Sequence, residues 1–125
     1  MNIFEYYLSE IKDLVLNHKN DLNLKNFNNL ENINLEVPPE KFNFDLSCNI
    51  SLVLAKLNKL DPLTLAGQIK ILLERKIKNF DKVDIAGPGF LNIKLSNLAI
   101  IESINLILKN NQTYGSNKFN ETYNI

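Results

Sequence analysis

The two segments on either side of Gly87-Pro88-Gly89 constrain the fold of this chain more than any other feature. Apolar and polar residues alternate in both segments, with Val83 and Ile85 before the turn and Leu91, Ile93 and Leu95 after it. A period of two is typical of a strand that has one buried face. Glycine and proline between two such strands favour a turn. The sequence therefore predicts a β-hairpin that contributes one face to a core.

Apolar residues at spacings of three and four predict amphipathic helices on either side of this hairpin. The first helix spans residues 3 to 17. The second ends at about Lys59, and Asp45 or Ser47 is its predicted N-cap. Asp61-Pro62 starts the third, because Asp accepts hydrogen bonds from unpaired amides and Pro at the first helical position forfeits a donor that had no partner.

The remaining segments predict one more strand and one more helix. Residues 17 to 32 are a polar loop, whereas the alternation from Ile33 to Val37 predicts a short strand that Pro38-Pro39 ends. Ser96 or Asn97 is the predicted cap of a last helix. This order favours an α/β fold of the α+β kind, in which a small antiparallel or mixed sheet of three to four strands packs against about four helices.

Composition limits the partners and the compartment that we expect. Fourteen basic and fourteen acidic residues give a formal net charge of zero, so contact with a nucleic acid must be local. A single cysteine, Cys48, excludes an internal disulfide and favours a reducing interior. No segment of the sequence predicts a signal peptide or a membrane span. We therefore expect a cytoplasmic monomer without a membrane partner.

The outward residues of the strand after Gly89 are chemically specific. They are Phe90, Asn92 and Lys94, which alternate with the apolar residues and so share one face. An aromatic ring offers a stacking surface, an amide pairs with a base edge, and an ammonium contacts a phosphate, which together suit an unstacked RNA nucleotide. Two alternatives stay open: a neighbouring loop or helix covers the ring, or this face binds a protein.

A family resemblance supports the RNA hypothesis. It is carried by Ala86-Gly87-Pro88-Gly89-Phe90-Leu91-Asn92-Ile93, by Asn43-Phe44-Asp45-Leu46-Ser47-Cys48-Asn49 leading into Leu52 to Lys56, and by Pro62, Leu65-Ala66 and Ile69. From roughly Glu36 to Gly115 the chain resembles the N-terminal additional domain of arginyl-tRNA synthetases. The family usually has Gly and Thr where this chain has Phe44 and Cys48, so the chain departs from the family pattern around Asp45.

The resemblance implies both a partner and a site. It implies an α/β appendage that contacts the D-loop of arginine tRNA through an aromatic and an amide, which fall on Phe90 and Asn92, with a loop contact near Gly87. Residues 1–112 would be this domain, and 113–125 a linker toward a separate catalytic domain. That parent domain would use ATP with magnesium, through a His-x-Gly-His motif and a Lys-Met-Ser-Lys-like loop that this chain lacks. We therefore expect no enzymatic activity and no cofactor in the chain itself.

Other candidate residues receive simpler interpretations. Arg75, Lys76, Lys78 and Lys82 are secondary candidates for RNA-backbone contacts, against the alternative of a solvated surface. His18 is the single histidine and complements a helix end, so we expect no metal site. Cys48 lies at the predicted start of the second helix, where amides could lower its pKa, and is interpreted as a packed residue. No cluster of acid, base and nucleophile predicts a catalytic site.

Overall fold

The computed structural model describes residues 3–28, 30–39 and 43–102. Within these ranges the helices are α1 (Ile3–Asn17), α2 (Ile50–Asn58), α3 (Pro62–Lys76) and the start of α4 (97–102), with a 3-10 turn at Leu30–Asn32. The strands are β1 (Leu35–Glu36), β2 (Leu46–Cys48), β3 (Phe80–Ala86) and β4 (Phe90–Leu95). The predicted α+β class is thereby confirmed.

Strand β4 lies inside a four-stranded antiparallel sheet whose order is β1-β2-β4-β3. It pairs with β3 through the predicted hairpin, in which the amide of Gly89 donates to the carbonyl of Ala86. On its other side β4 pairs with β2, which places Ser47 opposite Asn92. Both edges of β4 are therefore fixed by backbone hydrogen bonds.

One face of the sheet is covered by the helices. Leu91, Ile93 and Leu95 are buried in a single core cluster with the apolar rows of the three complete helices. Those rows include Ile11 of α1, Leu54 of α2 and Ile69 of α3, each almost fully buried. Because residues alternate along a strand, the opposite face of β4 carries Phe90, Asn92 and Lys94. We call this opposite side the open face.

A bulge at Asp81 resets the alternation of β3. Phe80 pairs with Leu95, and the next pair joins Lys82 to Lys94, so one extra residue lies in β3 between them. Phe80 and Val83 are consequently both buried in the core, although they are three residues apart. Without the extra residue, Lys82 would point into the apolar core, whereas here it lies on the open face.

The sequence prediction is wrong for residues 45–48. The residue types there predict the start of the second helix, with Asp45 or Ser47 as the N-cap, but Leu46–Cys48 is strand β2, and α2 begins at Ile50 after the N-cap residue Asn49. The Asp45 carboxylate instead accepts a hydrogen bond from the Leu95 amide at 2.7 Å. A long-range bond to the sheet thus replaces the local cap that the residue type suggests.

Two asparagine side chains tie the loops to α2. Asn58 accepts hydrogen bonds from the amides of Lys25 and Asn26 at 2.7 and 2.8 Å. Asn49 accepts from the amide of Asn34 at 2.8 Å and donates to the carbonyl of Asn32 at 3.0 Å. These bonds hold the polar loop and the approach to β1 against the helical layer.

Most other helix and strand predictions agree with the structure. Helix α1 has the predicted bounds, Asp61 caps α3 by accepting from the Thr64 amide at 2.9 Å, and Ser96 caps α4 by accepting from the Ala99 amide at 3.1 Å. The first strand is shorter than predicted, because β1 holds two residues and Val37 is 67% exposed. The predicted linker and the end of the last helix lie outside the described residues.

Gly89 and Gly67 provide a matched test of this packing. Gly89 has a φ of +145°, and a Cβ there would lie 3.3 Å from side-chain carbons of both Leu52 and Pro62. We expect Gly89→Ala to lower the free energy of unfolding by about 1–3 kcal/mol, because a positive φ and close contacts strain an alanine. Gly67 lies in α3, and a Cβ added to it would meet nothing within 4 Å.

We expect the control variant Gly67→Ala to raise the free energy of unfolding by roughly 0.5–1 kcal/mol, because alanine loses less backbone entropy in a helix. Urea denaturation of both variants and of the wild type measures the difference. Equal stability of Gly89→Ala and the wild type would contradict the close packing of the hairpin turn against α2 and α3.

Candidate functional site

A groove crosses the open face beside the hairpin turn. It encloses a volume of about 350 Å³. One wall is the segment from Glu36 to Pro39, and the other is the turn from Ala86 to Pro88. Ser47, Phe90 and Asn92 complete the lining. The structure therefore brings three of the predicted site residues, Gly87, Phe90 and Asn92, into one groove.

Phe90 presents part of its ring to this groove. The side chain is 38% exposed, and its Cδ2 lies 3.8 Å from the position that a Cβ on Gly87 would occupy. The ring therefore rests beside the turn, in contact distance of a backbone that has no side chain of its own. Gly87 has a φ of +56°, a left-handed conformation that glycine adopts without strain.

Asn92 is much less accessible than the sequence predicts. It lies on the open face as expected, but the side chain is only 5% exposed. Its register neighbours are Ser47 on β2 and Asp84 on β3, so a residue flanks it on each side. Among the described residues the Asn92 amide takes part in no side-chain hydrogen bond. Its donor and acceptor are thus available to a group that enters the groove.

Charges around the groove are mixed. Glu36 lies in the lining itself, which disfavours a phosphate at that end. Asp84 lies opposite Asn92 on β3 and forms an ion pair with Lys82 at 3.7 Å. Lys94 lies on the same face but outside the lining. The groove floor is consequently suited to a neutral polar group, and the two cations, Lys94 on β4 and Lys82 on β3, lie outside its lining.

The secondary basic candidates do not share one surface. Arg75 and Lys76 belong to the last turn of α3 and line a different groove of about 390 Å³, with His18 and Gln68. That groove belongs to the helical layer, across the sheet from Phe90. Lys78 follows the end of α3, and Lys82 lies on the open face. The structure therefore separates Arg75 and Lys76 from the open-face groove.

The interpretation of Cys48 as a helix-start residue is wrong. Cys48 ends β2 and is fully buried in the core. Burial raises the pKa of its thiol to about 12, and the backbone amides of Ile50 and Asn49 offset only part of this effect. The side chain is packed, as predicted, but its pKa moves in the direction opposite to the one that a helix start would give.

His18 and the acidic residues offer no metal centre within the described ranges. The Nδ1 atom of His18 lies 3.0 Å from the carbonyl oxygen of Leu14 at the end of α1. No group of three His, Cys, Asp or Glu side chains in the described part of the chain could hold a metal ion. None of the helices described is long and apolar enough to cross a membrane.

Sequence reasoning misses one wall of the groove and part of its floor. The wall residues Val37, Pro38 and Pro39 follow β1, and the sequence pattern indicates Pro38-Pro39 only as the end of a strand. Ser47 reaches the floor because it belongs to β2, which the pattern does not predict. The two prolines are the available signal, since they are compatible with an edge strand and a fixed backbone beside it.

The structure is a small α+β domain with a groove on the open face of its sheet. Residues 9–95 match the family described as arginyl-tRNA synthetase N-terminal domain. The chain is 33% identical over 117 residues to an arginine–tRNA ligase of Pelagibacter ubique, an alignment that covers 94% of this chain and 20% of the ligase. The chain belongs to the arginyl-tRNA synthetase N-terminal domain family.

Other relatives agree. An arginine–tRNA ligase of Caldanaerobacter subterraneus is 35% identical over 117 residues, covering 91% of this chain and 21% of that protein. One of Bacillus licheniformis is 30% identical over 115 residues, covering 92% of this chain and 21% of that protein. The chain thus spans about a fifth of the length of these ligases.

The buried thiol gives a test of strand β2. We expect no labelling of native Cys48 by a thiol reagent at pH 8, because the thiolate is the reactive form and the folded chain holds the thiol protonated. Labelling should follow denaturation in urea. Rapid labelling of the native chain would contradict the position of Cys48 in β2.

The same burial predicts a pH dependence. Above the ordinary thiol pKa of 9.0 the unfolded chain releases the proton, whereas the folded chain keeps it up to about 12. The free energy of unfolding should therefore fall more steeply with pH above 9 in the wild type than in Cys48→Ala. Urea denaturation at pH 8 to 10.5, a range of about one to two units around the thiol pKa, measures the two slopes. Equal slopes in the wild type and in Cys48→Ala would contradict the burial of the thiol.

Proposed function

We propose that this chain is the tRNA-binding domain of an arginine–tRNA ligase, acting in the cytoplasm in protein synthesis. In this proposal the open-face groove holds one unstacked D-loop nucleotide of arginine tRNA. Phe90 stacks on the base, Asn92 hydrogen-bonds the base edge, and the backbone at Gly87 contacts the loop. The names of the relatives support the ligase, and the groove supports the nucleotide.

The observation that carries the proposal is the state of Asn92. The side chain as a whole is only 5% exposed, but its amide is not among the fully buried polar atoms that lack a partner in the described residues, so the exposed part includes the amide. The amide forms no side-chain hydrogen bond within the described ranges, and it borders the groove. A base edge carries both donors and acceptors, so it would form hydrogen bonds with the Asn92 amide while the ring of the base lies against Phe90.

The size and lining of the groove support a single base. Its volume of about 350 Å³ falls at the lower end of the range for small-ligand sites. Val37, Pro38 and Pro39 form an apolar wall opposite the turn, and Phe90 adds an aromatic surface. Apolar surfaces around a few polar side chains, none of them a cation, fit a base better than they fit a phosphate, which requires cations.

The rest of the ligase would supply what this chain does not. A net charge of zero predicts weak binding of tRNA by the domain alone, since few counterions are released. ATP and magnesium would act in the separate catalytic domain. The Gly87-Pro88-Gly89 turn leads into strand β4, whereas a phosphate-binding loop leads into a helix N-terminus. The domain would therefore add affinity and selectivity to the ligase.

A protein-interaction role is the second candidate. The exposure of Val37 beside Pro38 and Phe90 gives the groove an apolar rim that a peptide could also contact. A peptide would bind without release of counterions, so its affinity would depend little on salt. The salt dependence of binding therefore separates the two candidates.

Substitution of the two groove residues tests the proposal. We expect Phe90→Ala to weaken binding of an arginine tRNA transcript by about 5- to 150-fold, the equivalent of 1–3 kcal/mol for the loss of stacking on one base. Asn92→Ala should weaken binding in the same direction, because the base edge loses its partner. Fluorescence anisotropy at low salt measures both, and thermal unfolding checks that the variants fold.

Tyr6→Ala is the matched control. Tyr6 is 37% exposed, close to the 38% of Phe90, but it lies on α1 in the helical layer. The Tyr6→Ala variant should bind the arginine tRNA transcript with the affinity of the wild type. Wild-type affinity in both Phe90→Ala and Asn92→Ala, or absence of tRNA binding by the wild type at low salt, would overturn the proposal.

A further inference from the structure

The open face carries a pair of lysines that the groove does not use. We infer that Lys82 and Lys94 together form a phosphate subsite for the nucleotide whose base occupies the groove. The phosphate would then lie away from the hairpin turn, and the base near it. This inference rests on the proposed function and deepens it, because it fixes the orientation of the nucleotide on β4.

The register of the hairpin brings the two ammonium groups to one place. Lys82 on β3 lies directly opposite Lys94 on β4, and directly opposite side chains have Cβ atoms about 4.5–5.5 Å apart. The bulge at Asp81 is what turns Lys82 toward the open face. Two flexible ammonium groups at this spacing are within reach of a single phosphate.

The positive charge of this pair is only partly neutralised by other side chains of the described residues. Like charges directly opposite each other on a sheet are destabilising. Lys82 has an ion pair with Asp84 at 3.7 Å, but the two side chains are 59% and 43% exposed, so solvent screens the pair and it contributes little. Lys94 forms no ion pair within the described ranges. An anion between the two lysines would therefore relieve their repulsion.

The position of the pair along β4 suits one nucleotide. Lys94 lies two residues beyond Asn92, which corresponds to about 7 Å along the strand. Phe90 lies the same distance on the other side of Asn92, next to the turn. Ring, amide and ammonium thus follow one another on one face, in the order base surface, base edge and phosphate. The acidic Glu36 is in the groove lining, where the base would lie.

Arg75 and Lys76 do not complete this subsite. They line the groove of the helical layer, on the other side of a sheet and its packed side chains. Packed layers are separated by about 10 Å, so a nucleotide on the open face cannot reach them. The phosphate contact of this nucleotide is consequently assigned to Lys82 and Lys94.

The salt dependence of tRNA binding tests the subsite. The measurements are the affinities of Lys82→Gln, Lys94→Gln and the double variant for an arginine tRNA transcript, between low and moderate salt. Neutralising one phosphate contributes about 0.7 to the slope of log K against log salt for a single strand. Because both lysines hold the same phosphate, we expect the double variant to lose about 0.7 of slope in total. Lys56→Gln, on the exposed side of α2, is the control and should keep the wild-type slope.

The outcomes separate this inference from the proposed function. An unchanged slope in the double variant overturns the subsite, and a loss of about 1.4 overturns the shared phosphate, because it indicates two independent contacts. Phe90→Ala should lower the affinity with an unchanged slope, so its effect reports on the base groove alone. Thermal unfolding of Lys94→Gln should show no loss of stability, since the variant removes a repulsion; a marked loss would contradict the unpaired state of Lys94.

Discussion

The structure depends on the pairing of β4 at both of its edges. Hydrogen bonds to β2 and β3 fix the register of this strand, and a strand in a fixed register sends alternate side chains to opposite faces. Leu91 and Ile93 therefore enter the core, while Phe90 and Asn92 reach the open face. A shift of one residue would exchange the two sets, so the core and the candidate site are specified by the same backbone bonds.

Features that depend on local sequence could be predicted. The hairpin follows from alternation around the glycine turn, and the start of α3 follows from Asp61-Pro62. Strand β2 could not be predicted in this way, because it has three residues and is stabilised by pairing with β1 and β4. Asp is a residue type that commonly caps helices, yet the Asp45 carboxylate accepts a hydrogen bond from the distant amide of Leu95. Tertiary contacts there override a local preference.

The candidate site likewise has features that the local sequence predicts and features that depend on tertiary contacts. The alternation of β4 is sufficient to put Phe90 and Asn92 on one face. The near-complete burial of Asn92 was not predictable, since it depends on Ser47 and Asp84 in strands whose register the sequence does not display. The direction of the Lys82 side chain was also not predictable, because it depends on the bulge at Asp81. The groove is thus built from one recognisable strand and from neighbours that only the fold brings to it.

Two side-chain amides report directly on whether one nucleotide occupies the open-face groove. Asn92 lines that groove, and Gln68 lines the groove of Arg75 and Lys76 in the helical layer. Titration of the isotope-labelled chain with an arginine tRNA transcript, followed by NMR, observes both amides in one experiment. If a nucleotide enters the open-face groove, the Asn92 side-chain signals shift and those of Gln68 do not. Shifts at Gln68 with unchanged Asn92 signals would contradict this position of the nucleotide.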